Sequence, residues 1–146
     1  MSTVEKSDTA PVDTTINNSD VVTKYTKAAD IANRALAQVI GACVVDAKLI
    51  DICKQGDEFI MNELKGVYTK GKIAKGVAFP TTITPNHLVC HLNPLPTDAS
   101  ADTAIAEGDV LKIVLGVQID GFGAVTGHTL IVGASEDKPV TGAKAD

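Results

Sequence analysis

The hydrophobic period changes once along this chain, and that change limits the folds open to it. Over 21–67 the apolar residues recur at spacings of three and four, whereas from Gly76 onward they come as short runs and alternating stretches. Helices that precede strands, rather than alternate with them, point to an α+β layer: two helices packed on one face of an antiparallel sheet. The 146 residues suffice for one core of this kind. With no Trp, two Tyr and three Phe, that core must be built from aliphatic side chains.

Val21, Tyr25, Ala28, Ala32, Ala35 and Val39 mark the apolar face of a first helix. Ser19 or Asp20 is expected to cap its start, and Gly41 to end it. A second helix is expected from near Asp46, with Leu49, Cys53, Ile60, Leu64 and Val67 turned inward. Gly56 should weaken its middle by about 1 kcal/mol relative to Ala and invites a break there. After Tyr68 the sequence TKGKIAKG reads as an exposed connection.

The strand half begins with VAF (77–79), which Pro80 should end, followed by the turn-rich TTITPN. HLVCHL (87–92) reads as another strand. The longest strand signal runs from Val110 to Ile119, and Asp120-Gly121 suits a hairpin turn because both positions tolerate positive φ. The return strand spans Phe122 to Val132. Ile113, Val114, Leu115, Val117 and Ile119 are expected to form an aliphatic inward face, with Val125 facing them. Residues 1–20, rich in Ser, Thr, Asp and Asn, are expected to be a disordered tail, leaving 21–146 as the folded unit.

Few chemistries fit this residue inventory. No G-x-x-x-x-G-K-[ST] or G-x-G-x-x-G phosphate loop is present. Cys43, Cys53 and Cys90 lack the paired spacing of a zinc ribbon or disulfide framework and are expected to be buried free thiols in a reducing compartment. His87 and His91, four apart in extended chain, would lie about 13 Å from each other, too far to chelate one ion. With His128 they are expected to be structural. Cys90 beside His91 does not make a nucleophile and base, since neighbours on a strand point to opposite sides.

The net charge of −5 argues against wholesale attraction to nucleic acid but leaves room for a local patch. Residues 76–146 hold 3 Lys+Arg against 8 Asp+Glu, so the cationic side chains concentrate in the first half. Within it, Lys65, Lys70, Lys72 and Lys75 stand together with no acid among them, a pattern suited to phosphate contacts that do not read sequence. No run approaches the roughly 18 apolar residues of a membrane span, and no signal peptide pattern opens the chain, so a cytoplasmic and nuclear location without membrane contact is expected.

Several long motifs carry a resemblance: VVTKYTKAADIANRALAQVI (21–40), CKQGDEFIM (53–61), KGVAFPTTITPNHLVCHLNPL (75–95), EGDVLKIVLGVQIDGFGAVTGHTLIV (107–132) and PVTGAKAD (139–146). Over about 21–146 the chain resembles the proliferation-associated, Erb-B-receptor-binding proteins and their fungal curved-DNA-binding relatives. These form the non-peptidase branch of the type II methionine aminopeptidase superfamily. The resemblance implies the pita-bread fold, two pseudo-symmetric α+β halves around a cleft, of which this chain would be the amino-terminal half, the second being absent.

It also implies roles for individual residues. His91 matches a substrate-contacting histidine of the aminopeptidases. Val114 and Val125 match two metal-bridging aspartates that stand eleven residues apart. A valine offers no oxygen to a divalent cation, so the resemblance implies a vestigial His91, no metal, no cofactor and no hydrolysis. The related non-peptidases keep the aspartate at the position of Val114, and this chain departs even from them. What the resemblance adds is binding to ribosomal RNA and the large ribosomal subunit, with DNA and protein partners also in the family, and a lysine-rich connection at 65–75. The other readings are a protein-interaction module without a nucleic-acid role and a metal-dependent methionine aminopeptidase.

Overall fold

In the computed structural model, residues 13–135 and 137–142 are described; most of the expected amino-terminal tail lies outside them. Helices α1 (Ser19–Ala42) and α2 (Leu49–Lys65) precede strands β1 (Lys75–Pro85), β2 (Val110–Ile119) and β3 (Phe122–Ile131). The strands form one antiparallel sheet in the order β1-β2-β3. On one face of that sheet α1 packs against β2 and β3, and α2 against β1. Between the layers Ile31, Ile52, Ile60, Leu111, Leu115 and Val117 are each 2% exposed or less. This is the α+β arrangement expected from the change of period.

Cap positions differ from expectation by small amounts with clear causes. Asn18, not Ser19 or Asp20, caps α1, its side chain accepting from the Asp20 N–H at 3.0 Å. Gly41 does not stop the helix, which runs on to Ala42 and closes with the Cys43 N–H donating to Ile40 O. Asp46 does not begin α2: it adopts φ 68, incompatible with a right-handed helix, and α2 starts at Leu49, whose N–H donates to Thr103 O.

Gly56 does not break α2. It lies close against both α1 and β1: a Cβ there would sit 2.5 Å from Thr81 Oγ1 and 2.9 Å from Val39 Cγ2. Pro80 does not end β1 either. The strand continues to Pro85, and register shifts between Val77 and Phe79 and between Phe79 and Thr82 bracket the proline. Proline is tolerated at such a bulge on an edge strand because no ladder hydrogen bond is asked of it. The Thr81 N–H and hydroxyl both donate to Asp57 Oδ1 of α2, each at 2.8 Å.

The expected strand over 87–92 is absent. Asn86 (φ 50) and His91 (φ 63) are left-handed, which no ladder accommodates. Asn86 instead ties the turn to β2, its side chain accepting from the Val110 N–H at 3.0 Å. The chain then doubles back along the outer edge of β1, where the Ile83 N–H donates to Leu92 O and the Leu92 N–H to Thr84 Oγ1. The β2–β3 hairpin turns at Asp120 (φ 58) and Gly121 (φ 82), the double positive φ expected of Asp-Gly.

Lys24 fastens this hairpin to α1. Its ammonium lies 2.7 Å from carboxylate oxygens of both Asp120 and Asp20, and 5.7 Å from the centre of the Phe122 ring. The hydrogen bonds to Asp120, then Asp20, raise its pKa above the ordinary lysine value.

Candidate functional site

Strand alternation divides β2 between two environments. Leu111, Ile113, Leu115, Val117 and Ile119 face the helices, whereas Val114 belongs to the outer face with Gly116. The inward placement expected for Val114 is therefore corrected. Val114 is half-buried and Val125 is 60% exposed, so neither belongs to the core.

The outer face still brings the implied site residues together. Val114 lies opposite Gly127 and Gly116 opposite Val125, which makes the two valines diagonal neighbours on adjacent strands, about 7–8 Å apart. Phe79 of β1 also lies opposite Gly116. A Cβ on Gly116 would come within 2.9 Å of Val125 Cγ2 and 3.1 Å of Phe79 Cβ, so the glycine lets these two side chains close over the sheet. The His91 ring packs on Phe79 with 5.2 Å between ring centroids. His91, Val114 and Val125, distant in sequence, thus share one side of the sheet.

That grouping does not fit a divalent metal. Val114 and Val125 provide no donor atom, Phe79 and Gly116 none from their side chains, and the Thr82 hydroxyl donates to Val114 O at 3.2 Å. His91 alone offers a ligating nitrogen, and hard or borderline cations want several carboxylate or imidazole donors. Among the described residues no three His, Cys, Asp or Glu side chains are grouped to hold an ion. His87 sits in the exposed turn that opens the 86–95 loop, His91 lies further along that loop against Phe79, and His128 is on β3 opposite Ile113.

The four lysines take different positions. Lys65 closes α2 and donates to Asn62 Oδ1 at 2.8 Å, and Lys70 and Lys72 are exposed on the connection between α2 and β1. Lys75 departs from the expected exposed connection: it begins β1, is half-buried, and its ammonium donates to the Val67 carbonyl. The outward charge is therefore that of Lys65, Lys70 and Lys72, with Lys75 bracing the base of the loop.

Beside this loop lies a groove of about 570 Å³, lined by Thr23, Lys27 and Arg34 of α1 and by Glu63, Val67 and Tyr68. The Arg34 guanidinium bonds Glu63 Oε2 at 2.6 Å and lies 3.5 Å from Asp30. The sequence reading missed Lys27 and Arg34 as neighbours of the lysine cluster. The signal available was their spacing of seven, which sets both on one side of α1.

Burial pushes the Cys43 thiol up to about 11. For Cys53 burial, followed by the nearby Asp57 charge, pushes it up to about 12. Both are buried as expected, but Cys90 is not: it is exposed, because residues 86–95 form a loop and not a core strand.

Comparison with known proteins places this arrangement. The family model for metallopeptidase family M24 matches residues 23–144. The chain is 47% identical over 133 residues to "ERBB-3 binding protein 1" of Solanum tuberosum, covering 90% of this chain and 33% of that protein. It is 40% identical over 146 residues to the "Curved DNA-binding protein" of Schizosaccharomyces pombe, covering 100% of this chain and 38% of that one. The chain thus spans about a third of the length of these relatives. Among solved structures, a thermophilic Arx1 matches with a TM-score of 0.77 and 41% identity, over 82% of this chain and 33% of that one. A prolidase from Pyrococcus furiosus matches with a TM-score of 0.61 at 21% identity, over 83% and 32%, which bears on the fold alone. The two helices on a three-stranded antiparallel sheet are the amino-terminal half of the pita-bread fold, and the chain belongs to metallopeptidase family M24.

Proposed function

We propose that the protein is a catalytically silent member of its family that docks on structured RNA of the large ribosomal subunit, in cytoplasm and nucleus. The observation that carries this reading is the outward set Lys65, Lys70 and Lys72 on and beside the α2–β1 connection of a chain whose net charge is −5. Positive charge gathered at one place on an acidic molecule gives a local phosphate contact without general affinity for polyanions. Silence follows from Val114 and Val125, which cannot bridge metal ions where the resemblance puts aspartates. The family to which the chain belongs also includes the relative named for curved DNA, and duplex DNA is the natural competitor in a binding assay.

Cosedimentation with ribosomes tests the reading. The wild-type chain is expected to travel with the large subunit at low salt and to be released as salt rises. The variant with Lys65, Lys70, Lys72 and Lys75 all changed to Ala is expected to stay in the supernatant. Equal cosedimentation of the two would refute the lysine contact. Silence is tested separately: stoichiometric Mn²⁺ or Co²⁺ binding with release of amino-terminal Met from a peptide would refute it.

A second reading, a protein-docking module, is favoured by the exposed apolar residues Val89 (84%), Leu95 (61%) and Val125 (60%). Light scattering behind size exclusion separates the two, since a protein-docking face that is self-complementary would give a dimer and the RNA reading requires none.

A further inference from the structure

The groove between α1 and the turn after α2 adds a kind of chemistry that the four lysines lack. Its volume of about 570 Å³ is within the roughly 300–1,000 Å³ of small-ligand clefts. On the α1 wall Lys27 and Arg34 are seven residues apart, about 10 Å along the helix axis. Arg34 is already neutralised by Asp30 and Glu63. Lys27 is exposed and has no hydrogen-bond or ion-pair partner among the described residues. The same holds for Lys70 and Lys72, two and four residues beyond Tyr68. The opposite wall presents an aromatic ring. Tyr68 is left-handed (φ 47) and half-buried, packing partly against the core. The carbonyl just before it, that of Val67, accepts from the Lys75 ammonium, which holds this turn to the start of β1.

An unpaired cation and a partly exposed ring across one groove match a ligand that carries both a phosphate and a flat face. Resting on the reading of the chain as an RNA-docking protein, we infer that this groove takes an unpaired nucleotide of single-stranded nucleic acid, its base stacked on Tyr68 and its phosphate on Lys27. A duplex keeps its base faces covered by its own neighbours and would leave Tyr68 unused; unstacked bases in loops and ends are what aromatic side chains bind. An acidic peptide would satisfy Lys27 and also leave the ring unused. Lys70 and Lys72 continue the cationic track along the strand beyond the groove.

The test titrates the whole chain with a short labelled oligouridylate, with a blunt-ended two-strand duplex RNA of similar length, and with oligothymidylate. Because the protein has no Trp and only two Tyr, tyrosine emission reports stacking once the signal of Tyr68→Phe, which leaves Tyr25 as the emitter, is subtracted. Tyr68→Asn removes the ring while suiting the left-handed backbone, and Tyr68→Phe keeps the ring. The inference predicts that oligouridylate quenches tyrosine emission and that Tyr68→Phe binds as wild type. Tyr68→Asn should lose about five- to a hundredfold in oligouridylate affinity with duplex affinity unchanged. Lys27→Gln should lower the slope of log affinity against log salt by about 1. Since neither contact reads the sugar, oligothymidylate should bind within a few-fold of oligouridylate, and stronger discrimination would contradict the inference.

If Tyr68→Asn and Lys27→Gln bind oligouridylate as wild type while the quadruple lysine variant loses RNA, the groove inference is overturned and the docking reading stands. If the wild-type chain shows no salt-sensitive RNA binding, both fall. Equal losses in Tyr68→Asn and Tyr68→Phe would refute stacking, and displacement of oligouridylate by polyglutamate at matched charge would refute the nucleotide as occupant.

Discussion

Replacing Gly56 by Ala sets helix propensity against packing, and the structure decides which wins. In an exposed helix interior the change gains about 1 kcal/mol. Here the new methyl would sit 2.5 Å from Thr81 Oγ1, 2.9 Å from Thr81 Cγ2 and 2.9 Å from Val39 Cγ2. Thr81 has no room to swing away: it is 0% exposed, β-branched, and held through its N–H and hydroxyl by Asp57 Oδ1. Overpacking of this kind costs about 1–3 kcal/mol, and turning the Thr81 hydroxyl off Asp57 strands a buried polar group at a further cost of about 1–3 kcal/mol. Less the propensity gain, Gly56→Ala should destabilise the protein by about 1–5 kcal/mol. Gly41→Ala is the matched control, because a Cβ there meets nothing within 4 Å, and its effect should be neutral or a gain of up to about 1 kcal/mol. Urea unfolding followed by circular dichroism measures both. A Gly56→Ala midpoint at or above that of wild type would refute the close approach of α2 to β1.

The valines and cysteines offer further checks. Val125→Asp, on the exposed outer face, should change stability by less than about 1 kcal/mol, whereas Val117→Asp at a 0% exposed site should cost more than about 4 kcal/mol or prevent folding; equal losses would contradict the assignment of faces. A thiol reagent at neutral pH should label Cys90 alone in the folded chain and all three cysteines after denaturation. The Cys43 and Cys53 pKa values are raised in the folded state to about 11 and about 12 from a reference of 9.0, so the fold holds protons that the unfolded chain releases. Their contribution is fully present below about pH 9 and is lost as pH rises through 11 and 12. Unfolding midpoints across that window should fall less steeply in Cys53→Ala than in wild type, and parallel slopes would show that this thiol is not shielded.

The large features were legible because they rest on period. The stripe from Val21 to Val39 appears as α1, and the Asp120-Gly121 pair appears as the hairpin turn. What was not legible depended on single backbone angles or on distant contacts. Nothing in the apolar pattern of 87–92 reveals that Asn86 and His91 take positive φ, so this loop carries the sequence pattern of a strand. Pro80 and Gly56 carry two meanings each: a breaker in isolation, a bulge or a close approach once β1 packs on α2. Lys65, Lys70 and Lys72 were visible as a run. Lys27 was not, because only the packing of α1 beside the end of α2 brings it to the same groove. Resemblance to a family singled out His91, Val114 and Val125, but their common outer face emerges only from the strand register and the His91–Phe79 contact, since three residues with no common chemistry leave no mark in composition or spacing.

RNA docking through the outward lysines is tested most directly by how affinity depends on salt. Titrating the wild-type chain and a Lys65→Ala, Lys70→Ala, Lys72→Ala variant against one structured RNA at several salt concentrations gives the number of phosphates each neutralises. Loss of three outward lysines should lower the slope of log affinity against log salt by about 2 to 3, whatever the RNA sequence. Identical slopes for the two proteins would contradict it.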